Sequence, residues 1–154
     1  MQMQTRRDVL LTSLKLASLL GATGLVPRLA LAAWPQAAFE AKSIADAVKA
    51  LGGSAPVAST EVTFTGPDIA ENGAVVPVGA ATTAAGAKRL ALLIEKNPNA
   101  LAAVFELTDA IEPNISTRVK MAQTSNVYAV ALMADGRALY AMKEIKVTLG
   151  GCGG

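Results

Sequence analysis

The one thiol of the chain is Cys152, flanked by Gly150, Gly151, Gly153 and Gly154. Four of the 13 glycines therefore fall within the last five residues, around the only cysteine. Folding stability asks for no such cluster, because glycine packs nothing and loses the most freedom when ordered. The expectation is a mobile arm over residues 150–154 that holds its sulfur clear of the surface. Three residues past Leu149 span at most about 10 Å when extended. No histidine occurs anywhere in the 154 residues to activate the thiol, and the nearest basic residues, Lys143 and Lys146, precede the arm. The terminal carboxylate two residues on disfavours the thiolate by like-charge repulsion. A self-activated nucleophile needs a neighbouring cation or a helix terminus. This pattern describes instead an accessible, passive thiol on which other proteins act.

The same inventory excludes several kinds of chemistry. Without histidine there is no Ser-His-Asp or Cys-His machinery, no His-ligated metal and no histidine pH switch. One cysteine precludes an internal disulfide and any multi-cysteine zinc or iron–sulfur site. No ligand set for a cofactor is evident, so the expected cofactor is none. A net charge of +2 is too small for a nucleic-acid surface. Lipid attachment fits poorly as well. Lipoprotein cysteines lie at the signal-cleavage point, and a prenylation signal needs three residues after the cysteine where this chain has two. An intermolecular disulfide stays open. It would make the chain an exported immunoglobulin-like binding module cross-linked to a partner, although a bare disulfide does not require glycines on both sides. A stand-alone thiol enzyme is the weakest alternative, since it would need a lowered thiol pKa.

Residues 1–33 are laid out as an export signal. Arg6 and Arg7 open it, an apolar stretch runs from Val9 to Val26, and Ala30-Leu31-Ala32 supplies a small-x-small cleavage pattern. Lys15, Gly21 and Gly24 interrupt the stretch and Pro27 ends it, which favours cleavage over a membrane-spanning helix. No membrane anchor is expected to remain. Thr5-Arg6-Arg7-Asp8-Val9-Leu10 fits the twin-arginine pattern, so the expected route is folded export to the periplasm. With no cofactor to insert, a partner assembled before export explains that route best. Residues 1–33 hold four of the 14 basic and one of the 12 acidic residues, so the rest carries 10 against 11 and a net charge of −1.

A thiol handle needs a rigid body behind it, and residues 34–149 are long enough for one domain whose apolar content suits a core. Ala37 to Leu51 has apolar residues Phe39, Ile44, Ala47, Val48 and Leu51 at helical spacing, ended by Gly52-Gly53. Beyond Ser54 the period becomes two. Strands are expected over 61–65, 74–78 (where Pro77 suggests an edge or bulge), 89–95, 101–107 and 115–121. A hairpin over 126–149 turns tightly at Asp135-Gly136. Val127 to Met133 has no polar residue on either face, so it lies under the helix or forms a subunit interface. In the last strand the apolar set changes parity at Lys143-Glu144, which suggests a bulge. The remaining charges are scattered singly and read as solvated surface. The whole describes an all-β, immunoglobulin-like antiparallel sandwich with one N-terminal helix and a flexible glycine-rich C-terminal arm.

The Gly150-Gly151-Cys152-Gly153-Gly154 terminus, behind a small all-β domain and a twin-arginine signal, closely resembles the SoxY family, the sulfur-carrier subunits of the bacterial Sox thiosulfate-oxidation system. The resemblance implies that Cys152 covalently holds sulfur intermediates as thiosulfonate and persulfide, the chain itself catalysing nothing. It implies a heterodimer with a SoxZ-like subunit that lacks its own export signal. It also implies a c-type cytochrome that loads thiosulfate, a thiosulfohydrolase that releases sulfate, and a sulfane dehydrogenase where present. The physical case agrees, because tethering keeps reactive sulfur species at high effective concentration between enzymes.

Overall fold

The computed structural model describes residues 35–108 and 110–149. The expected signal over 1–33 and the expected arm over 150–154 lie outside the described residues.

The helical pattern over Ala37 to Leu51 forms two short helices, α1 (Gln36–Glu40) and α2 (Ile44–Ala50), where one continuous helix was expected. The break has a local cause. Ala41 is extended, at ψ 136°, and its carbonyl accepts a hydrogen bond from the Ala100 amide at 2.9 Å. Ser43 then restarts the helix as an N-cap, its Oγ accepting from the Asp46 amide at 3.1 Å. The C-terminal end behaves as the two glycines require. Gly52 takes φ +84°, and the Gly52 and Gly53 amides bond back to the Lys49 and Val48 carbonyls.

Among the described residues nine strands follow: β1 (Val57–Ala58), β2 (Val62–Thr65), β3 (Ile69–Ala70), β4 (Val76–Thr82), β5 (Ala87–Ile94), β6 (Leu101–Glu106), β7 (Asn114–Val119), β8 (Ser125–Met133) and β9 (Ala138–Val147). They form a large sheet ordered β1-β9-β8-β5-β6, with β3 also on β9, and a small sheet ordered β2-β4-β7. Antiparallel pairing links β9, β8, β5 and β6, whereas the two-residue strands β1 and β3 run parallel to β9. Pro77 lies in the middle strand of the small sheet, but β2 pairs with β4 only from Gly79 onward. Its missing donor therefore falls where β4 has a neighbour on one side alone, which is the condition a strand proline needs.

The sandwich core lies between the sheets, with Val62, Val76 and Val78 facing Leu90, Leu92, Ile94, Val127 and Ile145. A second cluster seals the other face of the large sheet, where Ala47, Val48 and Leu51 cover Ala91, Leu93, Val130 and Leu132. Helices, large sheet and small sheet thus make three layers. This explains the wholly apolar Val127 to Met133. Val127, Ala129, Ala131 and Met133 enter the sandwich core, while Val130 and Leu132 lie in the cluster sealed by the helices. The segment is buried within its own chain, so of its two expected placements the one under the helices holds and the subunit interface does not.

Two further expectations are corrected. The β8–β9 hairpin turns through Ala134, Asp135 and Gly136, a three-residue loop and not a two-residue one. Gly136 takes φ +86°, and the Gly136 amide bonds to the Met133 carbonyl at 3.0 Å. No bulge occurs in β9, whose register with β8 is unbroken from Ser125↔Ile145 to Leu132↔Ala138. The parity change has another origin. Tyr140 lies on the face sealed by the helices, and two residues on, Met142 is exposed on that same face. On the inner face, Leu139 and Ile145 are buried and Ala141 and Val147 half-buried against the sandwich core, so apolar contact continues there to the end of the strand.

Candidate functional site

The residues expected to carry function follow Leu149, so the candidate site begins with what holds that end of β9. Leu149 is 65% exposed, and the chain leaves the body at its surface. The backbone leading to it is gripped by residues 66–73, a segment that starts with the Gly66-Pro67-Asp68 turn. The Lys146 amide donates to the Asp68 carbonyl at 3.0 Å, the Thr148 amide to Ala70 O at 3.1 Å, and the Gly73 amide to Leu149 O at 2.7 Å. Side chains reinforce the contact from both sides. Thr148 Oγ1 donates to the Glu71 carbonyl at 3.0 Å, and Thr124 Oγ1 accepts from the Val147 amide at 2.9 Å.

Lys143 joins the two segments through its charge. Its Nζ donates to the Gly66 carbonyl at 2.8 Å and pairs with Asp68 Oδ1 at 2.8 Å. The hydrogen bond and positive charge of Lys143 hold the Asp68 carboxyl below its ordinary 3.8. Lys143 and Asp68 were read from sequence as solvated charges. They are partners 75 positions apart, and no local pattern announces such a contact. The Gly-Pro-Asp turn was legible, but its pairing with the last strand was not.

Cys152, Gly150, Gly151, Gly153, Gly154, Arg6 and Arg7 all lie outside the described residues. Among the described residues, no group of three or more acidic, histidine or cysteine side chains could hold a metal ion. No described helix is long and apolar enough to cross a membrane. Of the large exposed apolar residues, Val57 and Ile69 lie on the short strands paired to β9, Met142 on β9 itself, and Leu149 just beyond it.

The fold is that of a small immunoglobulin-like sandwich that adds a helical layer and presents the end of its last strand at the surface. Comparison with known proteins makes this class specific. The family model of sulfur oxidation protein SoxY matches residues 47–152, a span that includes Cys152. The solved structure of the sulfur carrier protein SoxY from Chlorobium limicola f thiosulfatophilum is 36% identical, with a TM-score of 0.60 over 68% of this chain and 94% of that one. The chain belongs to the SoxY family. A superoxide reductase (neelaredoxin) from Ignicoccus hospitalis is 18% identical at a TM-score of 0.49, over 56% of this chain and 79% of that one. That likeness is too remote to bear on activity. No curated protein sequence matches the chain.

Proposed function

We propose that this protein is a sulfur carrier of a Sox-type thiosulfate-oxidising system, bearing its intermediates covalently on Cys152. The observation that carries this reading is the family match running through residue 152, the only cysteine, at the centre of the glycine cluster. The described structure supports it in one respect: β9, from which the cluster extends, is anchored to residues 66–73 up to Leu149. An anchored root gives a carrier thiol three residues beyond Leu149 a fixed base.

In this reading the carrier contributes a sulfur atom and reach, and its partners contribute electrons and acid–base groups. An oxidising c-type cytochrome removes two electrons and a proton as the Cys152 thiol joins the outer sulfur of thiosulfate, forming a cysteine S-thiosulfonate. A thiosulfohydrolase adds water and releases sulfate, which leaves a persulfide. A sulfane dehydrogenase, where present, oxidises the outer sulfur for a further hydrolysis. The protein acts in the periplasm after twin-arginine export guided by Arg6 and Arg7, paired with a SoxZ-like subunit. The exposed apolar side chains along β9 and its short partner strands, Val57, Ile69 and Met142, suit that subunit's surface better than the buried Val127 to Met133 does.

Intact-mass spectrometry of protein purified from thiosulfate-grown cells tests the proposal. The expected result is a mass increase matching thiosulfonate or persulfide, confined to Cys152 and absent from Cys152→Ser. Normal thiosulfate oxidation supported by Cys152→Ser would overturn it. A stable disulfide-linked species as the functional form would instead favour the binding-module reading.

A further inference from the structure

Opposite the flank that carries β1 and β3, the large sheet ends at β6. Among the described residues no strand pairs with the outer side of β6. An open edge presents a row of backbone donors and acceptors, and proteins normally blunt one with lysine, proline or a covering segment. Leu101-Ala102-Ala103-Val104-Phe105 contains neither lysine nor proline, and Ala102 to Phe105 are only half-buried. Helix α1 packs on β6 through Ala38 and Phe39, in one cluster with Leu101 and Val104, but among the described residues the backbone hydrogen bond that ties the helical layer to this segment, from the Ala100 amide to the Ala41 carbonyl, falls just before the strand begins.

Beside this edge is a cleft of about 290 Å³, where Leu101, Ala102 and Ala103 share the lining with Arg118 and Lys120 of the small sheet and its following turn. Both cations are exposed, and neither has a carboxylate partner among the described residues. Lys42 adds a third positive charge nearby, its Nζ donating to Asn99 Oδ1 at 2.5 Å, with Asn99 also lining the cleft. No acidic side chain lines it. Glu106 lies at the far end of β6 and is engaged by Arg89 at 2.6 Å.

We infer that β6 is a docking edge for an extended, acid-flanked strand of another protein. That strand would add to the large sheet through backbone hydrogen bonds and place a carboxylate against Arg118 and Lys120. Backbone pairing supplies affinity in this mode, and side chains at the rim supply selection. The charge decides against a second copy of this chain, which would bring the same unpaired cations rather than their complement. The inference uses no group in residues 150–154, so it stands or falls separately from the carrier chemistry.

The probe is a pair of end-blocked peptides, Glu-Thr-Val-Thr-Val-Glu and Lys-Thr-Val-Thr-Val-Lys, titrated into the full chain labelled with nitrogen-15. The acidic peptide is expected to give saturable shifts confined to the amides of residues 101–105 and 118–120, and to slow their hydrogen exchange. The basic peptide should bind about tenfold more weakly, because like charges then meet at the rim. Reversing both cations (Arg118→Glu with Lys120→Glu) should invert that preference while leaving exchange protection in β8 unchanged. Equal binding of both peptides, no shift at millimolar peptide, or edge protection that rises with protein concentration alone would each overturn the inference.

Discussion

A β-carbon built on Gly53 would lie 2.5 Å from Leu132 Cδ2 and 2.7 Å from Val48 Cγ1. Its neighbour Gly52 has open space at that position but a left-handed backbone. The two adjacent glycines therefore serve different ends, one a conformation and the other a close approach between α2 and β8. The sequence announces the first, because a glycine pair after an amphipathic run marks a helix terminus. It is silent on the second, which depends on where β8 passes some 80 positions later. Gly53→Ala should cost about 1–3 kcal/mol through overpacking. A lowered denaturation midpoint with an unchanged m-value would show it; an unchanged midpoint would mean that Leu132 has room to move. Cys152 is the opposite case, a residue whose surroundings in sequence said more than any packing could.

The end of β9 shows what pairing between elements adds. Asp68 binds Lys143 in the folded protein, and its carboxyl titrates below the ordinary 3.8. A folded value below the unfolded one means that the carboxylate contributes stability above about pH 4, and that this contribution fades as pH falls through the depressed folded value. Asp68→Asn should therefore lower the unfolding midpoint at neutral pH, and the gap between the two proteins should close below pH 3.8. Solvent screening keeps the effect modest, since the Asp68 side chain is 87% exposed. A gap that persisted at low pH would mean that the side chain acts through something other than its charge. The same element shows how a correct pattern can mislead. The parity change in β9 was real, but it records where the helical cover stops and not a bulge in the ladder.

At the scale of the whole molecule, period-two segments located most strands of both sheets, because each of the strands so located has a face in the sandwich core. The dipeptide strands β1 and β3 are too short to carry any period, so only the structure reveals them. The break between α1 and α2 was equally hidden, since Ala41 turns outward to meet Ala100 from another part of the chain. Of the proposed site, the thiol and its glycines were evident from residue types alone, whereas the grip of residues 66–73 on β9 was not. If the exposed apolar flank beside β9 receives the companion subunit, Val57→Asp and Met142→Glu should each weaken the complex at least about tenfold in a sedimentation or pull-down measurement. Both side chains are half exposed or more, so the isolated chain should lose no more than about 0.5 kcal/mol. Undiminished association would place the subunit elsewhere.

The run of β9 along β8 has a mechanical corollary. Hydrogen bonds in an antiparallel ladder lie across the strand direction, so tension drawn through the tail would strain many of them at once in shear rather than unzip them singly. The bonds from residues 66–73 share that load near its point of entry. In the carrier role proposed above, an enzyme that seized the tail would therefore tug against a moored rope and not a loose thread. Single-molecule stretching from the last residue should record one abrupt rupture, not a gradual fraying.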